Sequence, residues 1–192
     1  DGDRIMAVCA AHMKKEGKLR GGAFVATILS NMGLHAYAEK NGMKIECSNV
    51  GDRYVLEMML KKGYILGGEQ SGHIIFSKHA TTGDGILTSL KVMEVMLEKK
   101  ETLGKLASEV EILPQVLKNV RVKDKKEAQD DPAVQAEVAK VTETLGADGR
   151  ILLRQSGTEP VVRVMVEAPT TGQCEMLVDQ VIEVMKAQGH VL

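Results

Sequence analysis

The sequence predicts an α/β protein in two parts, a mixed-sheet α/β layered domain followed by a small α+β domain with an antiparallel sheet. Three observations lead there. Through the first half, apolar segments alternate between strand-like and helix-like periodicity, which favours helices layered on a sheet. Near Pro114 the helical pattern gives way to extended sequence, which marks a boundary. Beyond it, two strand-like runs flank a polar loop and helical runs follow, as in a hairpin-centred sheet. The domains are accordingly placed at residues 1–115 and 116–192.

The elements follow in order. Ile5, Val8, Cys9, His12 and Met13 share one helical face, with Asp3 as the expected N-cap and Gly17 as the stop. Gly22 to Leu29 is a continuous apolar, β-rich run that reads as a buried strand. Asn31 to Asn41 reads as a helix closed by Gly42, and Met43 to Cys47 as a short strand. Arg53 to Lys62 is a short helix ending at Gly63, with Asp52 as its expected cap. Tyr64 to Leu66 and Ile74 to Phe76 flank a glycine-rich turn. A long helix runs from about Asp84 to Lys99 with Ile86, Leu90, Met93 and Leu97 on one face, and Glu101 to Val110 adds a short one. After the boundary come a strand (Val116 to Val122), a polar loop (124 to 132) and a helix (Ala133 to Leu145). Strands at Arg150 to Arg154 and Val161 to Glu167 and a helix at Cys174 to Gln188 complete the chain.

Composition excludes several classes. The chain has 192 residues, with 25 Lys+Arg against 26 Asp+Glu, so it lacks the basic excess on which general polyanion binding rests. Aromatics are 3% and Trp is absent, which leaves no stacking platform for single-stranded nucleic acid. The run from Lys118 to Lys126 is interrupted by Val120, Val122 and Asp124, and its period of two reads as the solvated face of a strand. No apolar run approaches the roughly 20 residues that cross a bilayer, so no membrane partner is expected. Cys9, Cys47 and Cys174 are odd in number and far apart, and neither a disulfide framework nor a zinc motif is present. Free thiols on apolar segments fit a reducing, cytoplasmic setting. The chain opens on Asp1-Gly2-Asp3 and reads as a piece of a longer or processed protein.

Two loops carry candidate chemistry. Arg154-Gln155-Ser156-Gly157-Thr158-Glu159-Pro160-Val161-Val162-Arg163 lies between two strands. Ser156 and Thr158 offer hydroxyls, Gly157 permits a tight turn, and successive N–H groups can form an anion nest. Val162, Val164 and Val166 share a face and Arg163 lies on the other. Arg154 and Arg163 would frame a pocket for one phosphate dianion, since guanidinium is a fork matched to phosphate oxygens. The alternative is a polar hairpin loop with two surface arginines. It is not a Walker-type P-loop, whose Gly-x4-Gly-Lys-Ser/Thr string is missing.

The second loop is Gly67-Gly68-Glu69-Gln70-Ser71-Gly72-His73. Three glycines allow a ligand to approach the backbone closely. Glu69 can accept from two neighbouring sugar hydroxyls, and Ser71, Gln70 and His73 add polar contacts. A solvated hairpin is the alternative. Arg53 is either an active-site cation or a surface charge, and Asp84 reads as the cap of the long helix. Ser30-Asn31 follows the buried strand, where ligands often sit in α/β domains.

Taken in order, Gly2-Asp3-Arg4-Ile5-Met6-Ala7, Ser30-Asn31-Met32-Gly33-Leu34, Val50-Gly51-Asp52-Arg53-Tyr54-Val55, the Gly67–His73 loop, Thr82-Gly83-Asp84-Gly85 and Arg154–Pro160 resemble the α-D-phosphohexomutase superfamily over essentially the whole chain. The resemblance implies that family's third domain, then its small C-terminal domain of TATA-binding-protein-like fold. It implies that Glu69 and Ser71, with Gln70, His73 and Arg53, meet the sugar, and that Arg154, Ser156, Gly157, Thr158 and Arg163 hold the phosphate that is not reacting. Gln70, where mannose and glucose enzymes usually carry Met, points to glucosamine phosphates and so to amino-sugar and cell-wall precursor synthesis. Phosphomannomutase or phosphoglucomutase activity, or a phosphosugar-binding module without catalysis, remain as alternatives.

The departures matter as much. The family's nucleophilic serine loop, of Ser-His-Asn-Pro type, does not occur in this chain, so no catalytic residue is assigned. The family's Mg2+ loop carries three aspartates, and Asp1-Gly2-Asp3-Arg4 imitates only its end. The helical sequence that follows, and a hard cation's need for about six oxygens, argue against Asp1 and Asp3 as ligands, so no metal is assigned. The chain is therefore expected to lack the nucleophile and to be inactive alone. Its expected partners are a phosphosugar, the N-terminal domains of the same protein and, left open, a second copy in a homodimer. A hinge at 112 to 117 would let the last domain close over a ligand.

Overall fold

The computed structural model describes all residues, Asp1–Leu192. It divides into two compact units, Asp1–Ile112 and Leu113–Leu192.

In the first unit, helix α1 (Gly2–Lys15) leads into strand β1 (Ala23–Thr27), helix α2 (Met32–Lys40), strand β2 (Lys44–Ser48), helix α3 (Asp52–Lys62) and strands β3 (Leu66–Gly68) and β4 (Ile74–Phe76). Helices α4 (Gly85–Lys99) and α5 (Leu103–Ala107) close it. The sheet order is β2-β1-β3-β4. β1 runs parallel to both β2 and β3, and β4 is antiparallel to β3. Every residue of β1 is buried, as expected of a central strand covered on both faces. Phe24, Ala26, Leu66, Ile74 and Phe76 pack with α1, α2 and α4 on one face. Val25 and Ile75 pack with Val55 and Met59 of α3 on the other. The result is a three-layer α/β/α sandwich with a mixed sheet.

Several expectations are corrected. The N-cap of α1 is Asp1, whose Oδ1 accepts from Arg4 N–H at 3.0 Å. Asp3 is fully buried and accepts from Asn31 N–H at 2.7 Å, tying the start of α1 to the start of α2. α1 is buried beyond the stripe read from periodicity, because Met6, Ala7 and Ala10 are buried as well. α3 is preceded by Gly51, and Asp52 is its first residue. β3 starts two residues later than expected and contains Gly67 and Gly68. A Cβ on Gly67 would come within 2.6 Å of Met59 Sδ, so the strand uses glycine to let α3 approach. The apolar stripe of α4 faces outward, with Ile86 78% and Leu97 77% exposed, while Thr88, Val92 and Val95 are the buried residues. Asp84 does cap α4, accepting from Leu87 N–H at 2.9 Å.

The second unit comprises strand β5 (Gln115–Arg121), helices α6 (Lys125–Asp130) and α7 (Pro132–Leu145), strands β6 (Arg150–Gln155) and β7 (Val161–Glu167), and helix α8 (Thr171–Ala187). Its antiparallel sheet has the order β5-β7-β6. Val162, Val164 and Val166 point into a core closed by Val134, Val141 and Leu145 of α7 and Leu177, Val178, Val181 and Met185 of α8. α6 lies inside the stretch expected to be loop. Asp124 caps it by accepting from Lys126 and Glu127 N–H, both at 2.8 Å. Asp131 caps α7, which begins on Pro132 as an N-terminal proline should. Val120 and Val122 are buried, but the basic run is not one solvated strand face: Lys118 shares the face of Val120 and reaches Asp179 on α8 at 2.6 Å, β5 ends at exposed Arg121, and Lys125 and Lys126 belong to α6.

Candidate functional site

In the first unit, the carboxyl ends of β1, β2 and β3 lie side by side. The chain passes from β1 through α2 to β2 on one side, and then through α3 to β3 on the other. Strand order therefore reverses at β1, and such a switch point is where α/β sheets open a crevice beyond the strand ends. A cleft lies there, lined by Thr27, Leu29, Val50, Glu69, Gln70 and Ser71.

Glu69 is held facing this cleft. One carboxylate oxygen, Oε1, accepts from Gly51 N–H at 2.9 Å. The other, Oε2, stands 3.9 Å from His73 Nδ1. Ser71 Oγ lies 3.2 Å from the same nitrogen. The turn closes on itself through Glu69 N–H to His73 O at 3.1 Å and Gly72 N–H to Glu69 O at 2.9 Å. Gly2 N–H donates to Gln70 O at 2.9 Å, and a Cβ on Gly2 would sit 2.0 Å from Glu69 O, so α1 can brace the loop only with glycine there. The arrangement brings Glu69, Gln70, Ser71 and His73 together. Arg53 is exposed at the start of α3, with its N–H on Asp52 Oδ1 at 2.8 Å. Ser30 and Asn31 are buried, and Asn31 accepts from Gly33 N–H at 2.9 Å as the cap of α2. A fixed carboxylate beside a hydroxyl and an imidazole can accept from and donate to vicinal diols.

In the second unit, Arg154 on β6 and Arg163 on β7 are direct cross-strand partners. Asn119 on β5 completes the row, on the sheet face away from the valine core. The Nε–H of both arginines is buried without a hydrogen-bond acceptor. Like charges placed directly opposite destabilise a sheet, and each unmet buried donor adds to the cost. Burial, and then the neighbouring Arg163, lower the Arg154 pKa from its ordinary value. Arg163 Nη2 leans on Glu159 Oε2 at 3.2 Å.

The hairpin loop itself is well braced. Ser156 N–H donates to Val161 O at 3.0 Å, and Glu159 N–H donates to Ser156 Oγ at 3.3 Å. Ser156 is buried, whereas Gly157 and Thr158 are exposed at the tip. Lys125, not singled out from sequence, donates to Ser156 O at 2.8 Å and adds a third cation beside the loop. Its signal was present in the Asp124 cap, which turns the charged run into a helix starting next to the hairpin. Two guanidiniums, an ammonium, a hydroxyl and a glycine turn thus stand together, a set of donors whose chemistry suits an anion.

Neither Asp1 nor Asp3 suits a hard cation. Asp1 is spent on a helix cap and Asp3 on the buried bond to Asn31, and two such carboxylates cannot supply the oxygens Mg2+ demands. No helix is long and apolar enough to cross a membrane.

The phosphoglucomutase/phosphomannomutase α/β/α domain III matches residues 1–112, and the C-terminal domain of the same family matches residues 117–184. The chain is 57% identical over 191 residues to a phosphoglucosamine mutase of Lachnospira eligens, covering 100% of this chain and 42% of that protein. It is 49% identical to the phosphoglucosamine mutase of Oceanobacillus iheyensis over 97% of this chain and 42% of that one. The chain thus spans well under half the length of these relatives. Among solved structures, it is similar to Aspergillus fumigatus N-acetylphosphoglucosamine mutase in complex with GlcNAc-6P and magnesium. The TM-score is 0.81 at 23% identity, over 96% of this chain and 46% of that chain. A phosphoglucomutase/phosphomannomutase family protein from Burkholderia thailandensis gives a TM-score of 0.73 at 18% identity, over 97% and 42% of the two chains.

Proposed function

Because the chain belongs to the phosphoglucomutase/phosphomannomutase family, with that family's third and C-terminal domains, we propose that it is the substrate-holding part of a phosphoglucosamine mutase. The full-length protein would interconvert glucosamine 6-phosphate and glucosamine 1-phosphate. In this reading a phosphoserine outside the chain transfers its phosphoryl group to the sugar, giving a 1,6-bisphosphate. The same serine then takes back the other phosphoryl group and releases the isomer. Phosphoryl transfer depends on positioning and charge stabilisation, and this chain contributes positioning. Glu69 and Ser71, flanked by Gln70 and His73, take sugar hydroxyls, with Arg53 at the edge. Arg154, Arg163, Ser156, Gly157 and Thr158 take the phosphate that is not being transferred.

One observation carries the reading. Two arginines stand opposite each other with unmet donors beside a braced Ser-Gly-Thr loop. A dianion placed there relieves their repulsion and satisfies their donors. The name carried by the 57%-identical relative supports glucosamine as the sugar. Mg2+, present in the similar Aspergillus complex, would be held by residues outside this chain and would neutralise charge on the transferring group. Synthesis of cell-wall and nucleotide amino-sugar precursors in the cytoplasm is the setting that this activity implies.

The test is kinetic. The purified 192-residue chain should show no mutase turnover, and measurable turnover would falsify the division of labour. In the protein extended to the length of its relatives, Arg154→Ala should cut phosphosugar affinity strongly, and rates should rank glucosamine phosphate above glucose and mannose phosphates. Unchanged kinetics in Arg154→Ala would remove the phosphate assignment, and a higher rate on mannose phosphate would move the protein to another branch of the family.

A further inference from the structure

Helices α1 and α4 pack through Val8 and Val95, and the seam beside that contact is lined by ionisable groups. α1 contributes His12 and, one turn on, its C-cap Glu16, and α4 contributes Glu94 and Glu98 with the same spacing. His12 is only 6% exposed, yet its Nε2 has no hydrogen-bond partner. That nitrogen instead faces carboxylates, at 3.3 Å from Glu16 Oε2 and 3.8 Å from Glu98 Oε2, without hydrogen-bonding geometry to either. One ligand atom from each of His12, Glu94 and Glu98 lies within 4.8 Å of the others.

We propose that His12, Glu94 and Glu98, with Glu16 alongside, bind one divalent transition-metal ion of the zinc class. The geometry supports this. Metal–ligand bonds of about 2.0–2.1 Å in a tetrahedron put neighbouring ligand atoms roughly 3.3 Å apart. The His12–Glu16 separation already has that value, and Glu98, half exposed, closes the remainder by side-chain rotation. An imidazole donor among carboxylates selects zinc-like ions over Mg2+ or Ca2+, which take oxygen. The i, i+4 spacing puts Glu16 beside His12 and Glu98 beside Glu94, and His12, Glu94 and Glu98 converge. Lys18 on Glu16 at 2.9 Å and Lys91 on Glu94 at 2.8 Å flank the cluster. Two helices joined by an ion would be stapled at the C-terminal end of α1, opposite the Gly2 end that braces the Glu69–His73 loop, so the site is structural and distinct from both loops.

The 192-residue chain, free of any affinity tag, would be titrated with ZnCl2 by calorimetry, with MgCl2 as the comparison ion. The proposal expects one saturable Zn2+ per chain, no competition from Mg2+, and a raised unfolding temperature. The double variant Glu94→Gln/Glu98→Gln, at positions that are at least partly exposed, should weaken binding at least about tenfold, the least expected from losing ligands. Cobalt substituted for zinc should show tetrahedral absorption without a thiolate charge-transfer band. The nearest rival is the surface pair Cys47 and His35, whose Sγ and Nε2 lie 3.8 Å apart. Absence of saturable Zn2+ binding would overturn the proposal. Wild-type affinity in the double variant, a thiolate band with cobalt, or loss of binding in Cys47→Ser would likewise overturn the assignment.

Discussion

Replacing Arg154 by methionine separates a functional arginine from a structural one. Methionine keeps most of the aliphatic stem and removes the charge and the donors. In the unliganded protein this deletes one buried Nε–H that lacks an acceptor. It also deletes a like-charge cross-strand contact with Arg163. Leaving such a donor unmet costs about 1–3 kcal/mol when fully buried, and opposed like charges cost about 0.2–1 kcal/mol. Arg154 is only partly buried, so a gain of roughly 0.5–1.5 kcal/mol in the stability of the second unit is the reasonable expectation. Phosphate binding should move the other way. Losing charge-assisted hydrogen bonds worth about 1.5–3 kcal/mol weakens affinity roughly 10- to 150-fold. Urea unfolding and calorimetry with inorganic phosphate on the same preparations read both quantities. A variant that loses stability and affinity together would make Arg154 a structural residue. A variant changed in neither would make the loop an ordinary surface hairpin.

Three further outcomes follow from the geometry. Glu167 is fully buried and holds Arg150 in a two-pronged bridge at 3.0 and 3.1 Å, so Glu167→Ala should destabilise the second unit by about 3 kcal/mol in urea unfolding. A change under about 1 kcal/mol would mean that the pair is dispensable. Asp131 accepts from His190 and from the first N–H groups of α7, and these bonds lower its pKa. Its contribution is therefore complete above the ordinary carboxylate value of about 3.9 and disappears as pH falls through the lower folded value. The stability gap between the wild type and Asp131→Asn should shrink on acidification below about pH 4, and a gap that widens there would contradict the assignment. Alkylation at pH 8 should modify exposed Cys47 first, because Cys9 and Cys174 are buried and burial pushes the Cys9 thiol up to about 12. Labelling of Cys9 in the folded protein would show that α1 opens.

Much of the architecture was legible because periodicity reports burial directly. The alternation of Val162, Val164 and Val166 placed β7 and its core face, and the unbroken apolar run of β1 marked a central strand. Where periodicity misled, a tertiary contact had overridden it. Asp3 looks like a cap in sequence but bonds Asn31, 28 residues away. Gly67 and Gly68 look like a turn, yet they form a strand paired with β4, Gly67 pressed by α3 and Gly68 by Ile74 and His73 O. The stripe on α4 is apolar without being buried. For the candidate site, the residue types were legible and their register was not. The direct opposition of Arg154 and Arg163 depends on how the five residues 156 to 160 turn between paired strands, and no spacing rule specifies that. Lys125 joined the loop only once the Asp124 cap had folded a charged run into α6.

The most direct test of the account is an amide-resolved NMR titration of the 192-residue chain with two ligands. Inorganic phosphate should shift Ser156, Gly157, Thr158 and their neighbours and leave residues 69 to 73 unmoved. Glucosamine 6-phosphate should shift both sets. Perturbations that avoid the Arg154–Arg163 hairpin, or a phosphosugar indistinguishable from bare phosphate at Glu69, would contradict the assignment of one loop to phosphate and the other to sugar hydroxyls.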